Sequence, residues 1–127
     1  MTSLIPLAFL LAILGAPSGS WASNVSVSFQ QDGPDGIYGV ACHSDFRAVE
    51  GNAQALCSGM PDDSMVLFES AWESRGRLLN VLAHESAHLQ LGVNHVGRTA
   101  YERFREYEAY EFGCAYQYIP ECKRWLR

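Results

Sequence analysis

The chain has 127 residues, a formal net charge of −5 and no run of basic residues. This charge balance argues against electrostatic binding of nucleic acid and gives no reason to expect an anionic membrane surface as a partner. Its length and its freedom from internal repeats predict one small domain with a modest core. Any function must therefore be argued from particular residues.

The first residues have the pattern of an export signal. Residues 4–16 are mostly apolar and uncharged, and the small-x-small sequence Ser20-Trp21-Ala22 predicts cleavage after Ala22. The apolar run is shorter than the roughly 20 residues that span a bilayer. Because no Lys or Arg precedes it, an uncleaved anchor or a buried apolar segment is the alternative. We expect a signal peptide at 1–22, a mature domain at 23–127, and a secreted or extracytoplasmic protein without membrane contact after cleavage.

All four cysteines fall within the predicted mature domain. An even number in an exported domain predicts two disulfides, which would stabilise a small core. Three pairings are possible, and the pairing of near neighbours, Cys42–Cys57 and Cys114–Cys122, is favoured. Crossed pairings would instead tie the N-terminal half to the last helix. A zinc site made of cysteines is disfavoured because the sequence contains no C-x-x-C pair.

The hydrophobic pattern of the first half predicts strands. Residues 25–29 alternate apolar and polar side chains, and residues 37–41 follow a segment rich in turn formers, so we expect a hairpin with a long loop. A short helix that ends near Cys57 and a strand at 65–68 come next.

The second half predicts two long helices. Ser74 can cap the first, Gly92 can end it, and the capping-box pattern Thr99-x-x-Glu102 opens the second, which runs to about Tyr118. The order strand, strand, helix, strand, helix, helix predicts an α+β domain with a small sheet.

The sequence His84-Glu85-Ser86-Ala87-His88 lies in the C-terminal half of the first long helix. Two histidines four residues apart leave the same face of a helix and can bind one metal ion. Glu85 follows the first histidine and can reach a water on that metal. This H-E-x-x-H arrangement is typical of zinc metallopeptidases.

Catalytic zinc usually has three protein ligands, so a further one is required. On the last helix, at about 100° per residue, Glu108 falls in the middle of an apolar stripe. A carboxylate there is costly unless it is paired or bound to a metal, and the alternative partners are the arginines at 75, 77 and 98. If the helices are antiparallel, Glu108 lies about 13 Å from the loop and His84 about 12 Å. The stripe consists of Tyr101, Phe104, Phe112, Ala115 and Ile119.

Other residues compete for the third position. Glu106 points away from the stripe and Glu111 lies on its flank. Gly92 and His95 come four and seven residues after His88, one residue later than in the H-E-x-x-H-x-x-G-x-x-H proteases, so His95 is interpreted as a loop histidine. We interpret His43 as structural or surface-exposed.

With Glu108 included, residues 84–118 resemble the gluzincin-type metallopeptidases, in which a glutamate on the following helix completes the site. The segment from Glu106 to Phe112 is similar to the E-x-E-A-x-x-F pattern of small peptidases related to the enzymes that cleave phage repressors. In that pattern the glutamate before alanine is the metal ligand, here Glu108. These families are usually intracellular, whereas this chain has the features of an exported protein.

The resemblance implies a zincin-like domain in which Zn²⁺ is bound by His84, His88 and Glu108. Zinc lowers the pKa of its water toward about 7, and Glu85 accepts the proton and passes it to the leaving amine. The implied activity is hydrolysis of a peptide or protein substrate. By analogy, the strand at 65–68 would be the edge strand that binds the substrate backbone. For the oxyanion stabiliser the choice stays open among Tyr101, Tyr107, Tyr110 and His95.

Two other functions remain as alternatives. The first is a non-catalytic, zinc-stabilised, secreted binding module, which would unfold without zinc and tolerate substitution of Glu85. The second is a metal-free disulfide module with a chance H-E-x-x-H. The position of Glu108 argues against the second alternative, and the conjunction of Glu85 with Glu108 argues mildly against the first.

Overall fold

A computed structural model describes residues 4–16, 24–31, 33–34, 36–43, 56–91 and 109–124. Its strands form one mixed sheet in the spatial order β1-β2-β4-β3, in which β2 and β4 are parallel and the other neighbours antiparallel. Two helices within the described residues have defined bounds, and the described residues 109–116 are also helical and are called α3. The α+β class is therefore confirmed. The elements are β1 (Ile5–Pro6), α1 (Leu7–Ile13), β2 (Ser26–Gln30), β3 (Gly39–Cys42), β4 (Ser64–Phe68), a 3₁₀ turn (Glu69–Trp72), α2 (Arg75–Leu91) and a last 3₁₀ turn (Pro120–Arg124).

The predicted hairpin is wrong, because β4 lies between the two strands that were expected to pair. Val27 of β2 and Ala41 of β3 are both partners of Met65 in β4. All five residues of β4 are buried, and a strand whose residues are buried on both faces is best satisfied in the centre of a sheet. The strand predicted at 65–68 is therefore confirmed, but its expected role as an edge strand is wrong.

The sheet has two covered faces, which we call the inner and the outer face. On the inner face, residues of β2 and β4 pack against α1 and α2. On the outer face, residues of β3 and β4 pack against the segment 56–60. The inner face carries Val27, Met65 and Leu67, and the outer face carries Val40, Val66 and Phe68.

The N-terminal segment packs on the inner face. Leu7 and Leu11 of α1 are fully buried, and the Leu7 N–H donates to the Val25 carbonyl at 2.8 Å. The Arg75 guanidinium donates to the Leu14 carbonyl from Nε at 3.1 Å and from Nη2 at 2.5 Å. The signal peptide at 1–22 and cleavage after Ala22 stay predictions. Among the described helices, none combines the length and the apolar character needed to cross a membrane.

Both disulfides have the pairing of near neighbours that the sequence favours. Cys42–Cys57 joins the end of β3 to the segment on the outer face, and Cys114–Cys122 joins α3 to the last 3₁₀ turn. Two disulfides are compatible with an extracytoplasmic location.

The predicted start of the H-E-x-x-H helix is also confirmed. The Arg77 N–H donates to the Ser74 hydroxyl at 3.1 Å, which satisfies one of the donors that a helix start leaves unpaired. Of the short helix expected before Cys57, the described part includes only Leu56, which is helical. Gly92 and the Thr99–Glu102 capping box lie outside the described residues.

Candidate metal centre

Four of the five H-E-x-x-H residues are buried in α2, and His84 is partly exposed. Ser86 and His88 have no exposed surface, Ala87 is 1% exposed and Glu85 is 2% exposed. Earlier in the helix, Leu79 and Leu82 pack into the inner core and fix the helix on the sheet. Burial of a carboxylate and an imidazole is costly without compensating interactions, so this stretch is not explained by apolar packing alone.

The two histidines of the motif face each other. Nε2 of His84 lies 3.1 Å from Nε2 of His88, and the ring planes are inclined by 73°. A tetrahedral zinc about 2.1 Å from each nitrogen would hold the two nitrogens about 3.4 Å apart. The observed 3.1 Å is shorter than this and also falls in the range of a hydrogen bond between the rings, so the imidazole pair belongs to a group that could hold a metal ion.

Glu85 completes the described group. Its Oε1 is 3.7 Å from Nε2 of His84, and potential ligand atoms of the two histidines and Glu85 lie within 4.8 Å of one another. Two neutral nitrogen donors beside a carboxylate suit a borderline-soft divalent cation such as Zn²⁺. In the part of the chain that the structure describes, this is the one such group of three.

A glycine on β3 allows the strand to lie close to Glu85. A Cβ added to Gly39 would lie 3.5 Å from Cγ of Glu85, 2.7 Å from Cδ2 of Leu67 and 3.0 Å from the Val66 carbonyl. A side chain at position 39 would therefore push against both β4 and the H-E-x-x-H helix. The sequence places Gly39 within the strand predicted at 37–41 but does not identify it as a site residue, because the sequence alone does not show which helix lies against that strand.

α3 forms another side of the group. The Tyr110 ring packs edge-on against His84, with 4.5 Å between ring centroids and 62° between planes. A Cβ added to Gly113 would lie 3.3 Å from Cβ of His84 and 3.0 Å from the Asn80 carbonyl. Asn80 in turn donates from Nδ2 to the Gln117 carbonyl at 2.9 Å. Of the tyrosines considered from the sequence, the structure brings Tyr110 to the site, while Tyr101 and Tyr107 lie outside the described residues.

The apolar stripe predicted for the last helix does not match the buried face of α3. Ala115, a member of that stripe, is exposed, whereas Ala109 and Gly113 are buried. Small residues let the two helices approach closely. A prediction based on large apolar side chains does not identify a helix face made of alanine and glycine. Glu111 is exposed. The predicted ligand Glu108 and its competitors Glu106 and His95 lie outside the described residues, so the third ligand stays a prediction.

Two of the arginines proposed as alternative partners of Glu108 have other partners. Arg75 binds the Leu14 carbonyl, as described above. Arg77 forms an ion pair with Glu121, and its guanidinium lies 4.8 Å from the centre of the Tyr38 ring. The hydrogen bond that Arg77 donates to the Glu121 carboxylate raises the pKa of Arg77 above its usual value. Arg98 lies outside the described residues.

His43 lies in a separate place. His43 directly follows β3. Its Nε2 is 3.9 Å from a carboxylate oxygen of Asp62 and 4.0 Å from a carboxylate oxygen of Asp63. It is not a member of the group formed by His84, Glu85 and His88.

Comparisons of the chain with protein-family models, with curated proteins and with solved structures find no match. A function for this chain is therefore argued from the site itself.

Proposed function

We propose that this protein is a zinc-dependent peptidase with a zincin-like fold, in which His84, His88 and Glu108 bind the metal and Glu85 is the general base. The observation that carries the proposal is the 3.1 Å separation of the two imidazole Nε2 atoms, with the buried Glu85 carboxylate beside them. The proposed substrate is a peptide or protein outside the cytoplasm.

Each described residue has a distinct part in this chemistry. His84 and His88 present their Nε2 atoms toward one point from successive turns of α2. When bound there, Zn²⁺ would polarise a peptide carbonyl and lower the pKa of a water. Glu85 lies close enough to His84 to accept the proton of that water and return it to the leaving amine.

The third ligand is proposed to be Glu108, by resemblance to the E-x-E-A-x-x-F pattern. The observed buried face of α3 adds a second residue to test. Position 106 comes four residues before Tyr110 and seven before Gly113, and this spacing places residues on one face of a regular helix. Zinc binding by Glu106→Gln and Glu108→Gln should therefore be measured side by side, with the variant that loses affinity identifying the ligand.

β3 replaces residues 65–68 as the strand proposed to bind the substrate backbone. In the described sheet, β3 is at one end of the strand order. The Phe68 N–H donates to the Tyr38 carbonyl at 2.9 Å, so by antiparallel alternation the backbone groups of Gly39 point away from β4. Since Gly39 lies next to Glu85, an extended peptide added along this edge would pass the proposed general base.

The experiment that tests the proposal compares wild type with Glu85→Gln, and uses Glu111→Gln as the matched control. All three chains should bind one zinc, because Glu85 is not a proposed ligand and Glu111 is exposed. In a peptide-library assay, Glu85→Gln should lose at least about 100-fold in rate, the contribution typical of a general base. The control should keep the rate of the wild type.

Two results would overturn the proposal that this protein is a peptidase. Undiminished hydrolysis by Glu85→Gln would remove the proposed mechanism. Zinc binding by the wild type without any hydrolysis, together with unfolding by a chelator, would favour the non-catalytic zinc-stabilised binding module.

A further inference from the structure

The two proposed histidine ligands are held in different ways. His88 has no exposed surface and is surrounded by the core. The side chain of His84 is 12% exposed, so burial alone fixes its ring less firmly. A ligand on the more open side of a site needs a neighbour that fixes its ring orientation, as metal-binding histidines generally do.

We propose that Tyr110 is a positioning residue for His84 and that Gly113 sets the helix spacing at which it acts. The inference rests on the proposed metal site. The Tyr110 ring meets the His84 ring edge-on at 4.5 Å, a geometry that restricts rotation of the imidazole about its Cβ–Cγ bond. The orientation that it favours is the one in which Nε2 of His84 points at Nε2 of His88.

The contact depends on a close approach of α2 and α3. At Gly113 a Cβ would lie closer to the Asn80 carbonyl and to Cβ of His84 than nine in ten real Cβ contacts, so one of these neighbours would have to move by a few tenths of an ångström. The Asn80 side chain then binds the Gln117 carbonyl at the end of α3 and lies 3.8 Å from both sulfurs of Cys114–Cys122. Gly113 permits the close approach of α2 and α3, and the Asn80 amide and the disulfide Cys114–Cys122 stabilise it.

The packing role predicts that the ring of Tyr110 matters and its hydroxyl does not. Tyr110→Leu should weaken zinc affinity about 3- to 10-fold, the range expected from one lost aromatic pair. It should also change the visible spectrum of the Co²⁺-substituted protein, which reports ligand geometry. Tyr110→Phe should match the wild type in both measurements. Tyr118→Leu, at a tyrosine that is 53% exposed, is the matched control and should have no effect.

A second variant tests the spacing without removing the ring. Gly113→Ala adds one methyl group, which should move α3 away from His84 and change the Co²⁺ spectrum in the same direction as Tyr110→Leu. Urea unfolding identifies any variant that has not folded. If Tyr110→Leu does not fold, the zinc affinity and Co²⁺ spectrum of Gly113→Ala test the positioning role.

The outcomes separate this inference from the peptidase proposal. A wild-type chain that binds neither Zn²⁺ nor Co²⁺ would remove the metal site itself. A wild-type chain that binds both, with unchanged affinity and spectrum in folded Tyr110→Leu and Gly113→Ala, would overturn the positioning role alone. A weakened Tyr110→Phe would assign the effect to the hydroxyl and would also overturn it.

Discussion

The two faces of the sheet differ in what they bury. The outer face is mainly apolar, with Phe68 lying against the backbone of Gly33 and the disulfide Cys42–Cys57 at its end. The inner face is covered by α2, which carries buried Asn80, Glu85, Ser86 and His88 beside its leucines. Buried polar groups lower stability unless they are satisfied, whereas buried apolar groups raise it. The comparison teaches that β4 separates a face that mainly stabilises the domain from one that also carries the candidate metal group.

The sharpest test uses two neighbours on opposite faces of β4. Phe68→Ala on the outer face should lower the free energy of unfolding by about 3–5 kcal/mol, and Leu67→Ala on the inner face by about 2–5 kcal/mol. Leu67 lies against Gly39 beneath Glu85, so only its truncation should also reduce the hydrolysis rate of the folded protein. Urea denaturation and a peptide-cleavage assay below the unfolding midpoint give the two quantities. Equal loss of rate in both variants would remove the distinction between the faces.

The disulfides give the next largest difference. Replacing both cysteines of Cys42–Cys57 by serine should cost about 3 kcal/mol, and the same change at Cys114–Cys122 about 2.5 kcal/mol, from the lengths of the loops they close. Zinc affinity should fall only for the second pair, because Cys114–Cys122 adjoins Asn80 and the α3 side of the site. Thermal unfolding and competitive zinc titration measure the two effects. A larger fall in zinc affinity for the first pair would contradict this assignment.

The smallest expected effect concerns Tyr116, which packs against the inner core. Desolvation raises the pKa of its phenol, and Arg75 partly opposes this. Because the pKa is raised in the folded state, the neutral phenol contributes to the free energy of unfolding at pH values below the unfolded pKa of about 10. This contribution to stability is lost as the pH rises through the folded pKa. Tyr116→Phe should therefore flatten the alkaline loss of stability above about pH 10. Tyr118→Phe, at an exposed position, is the control and should leave the alkaline profile unchanged.

Local features were predictable from the sequence. Three of them depend on neighbours within a few residues: the Ser74 cap, the strand at 65–68 and the position of His84 and His88 on one helix face. These interactions follow the periodicity of helices and strands, which a single sequence displays directly.

Features that depend on distant pairing were not predictable. The insertion of β4 between β2 and β3 requires contacts between segments far apart in the chain. The close approaches at Gly39 and Gly113 leave no periodic signal, because a missing side chain is as common in turns as in tight contacts. The face of α3 was misjudged for the same reason, since Ala109 and Gly113 carry little apolar surface.

The central position of β4 also bears on how the chain reaches its native state. β2 and β3 are synthesised first, yet they are not paired with each other in the native sheet. The strand that joins them, β4, begins more than twenty residues after β3 begins. Such non-local pairing slows folding and leaves strand edges exposed in the meantime. We expect the disulfide Cys42–Cys57 to speed the pairing of β4 with β3, because its closure brings the segment before β4 close to the end of β3. Oxidation of this one pair thus favours the correct strand order over the simpler hairpin.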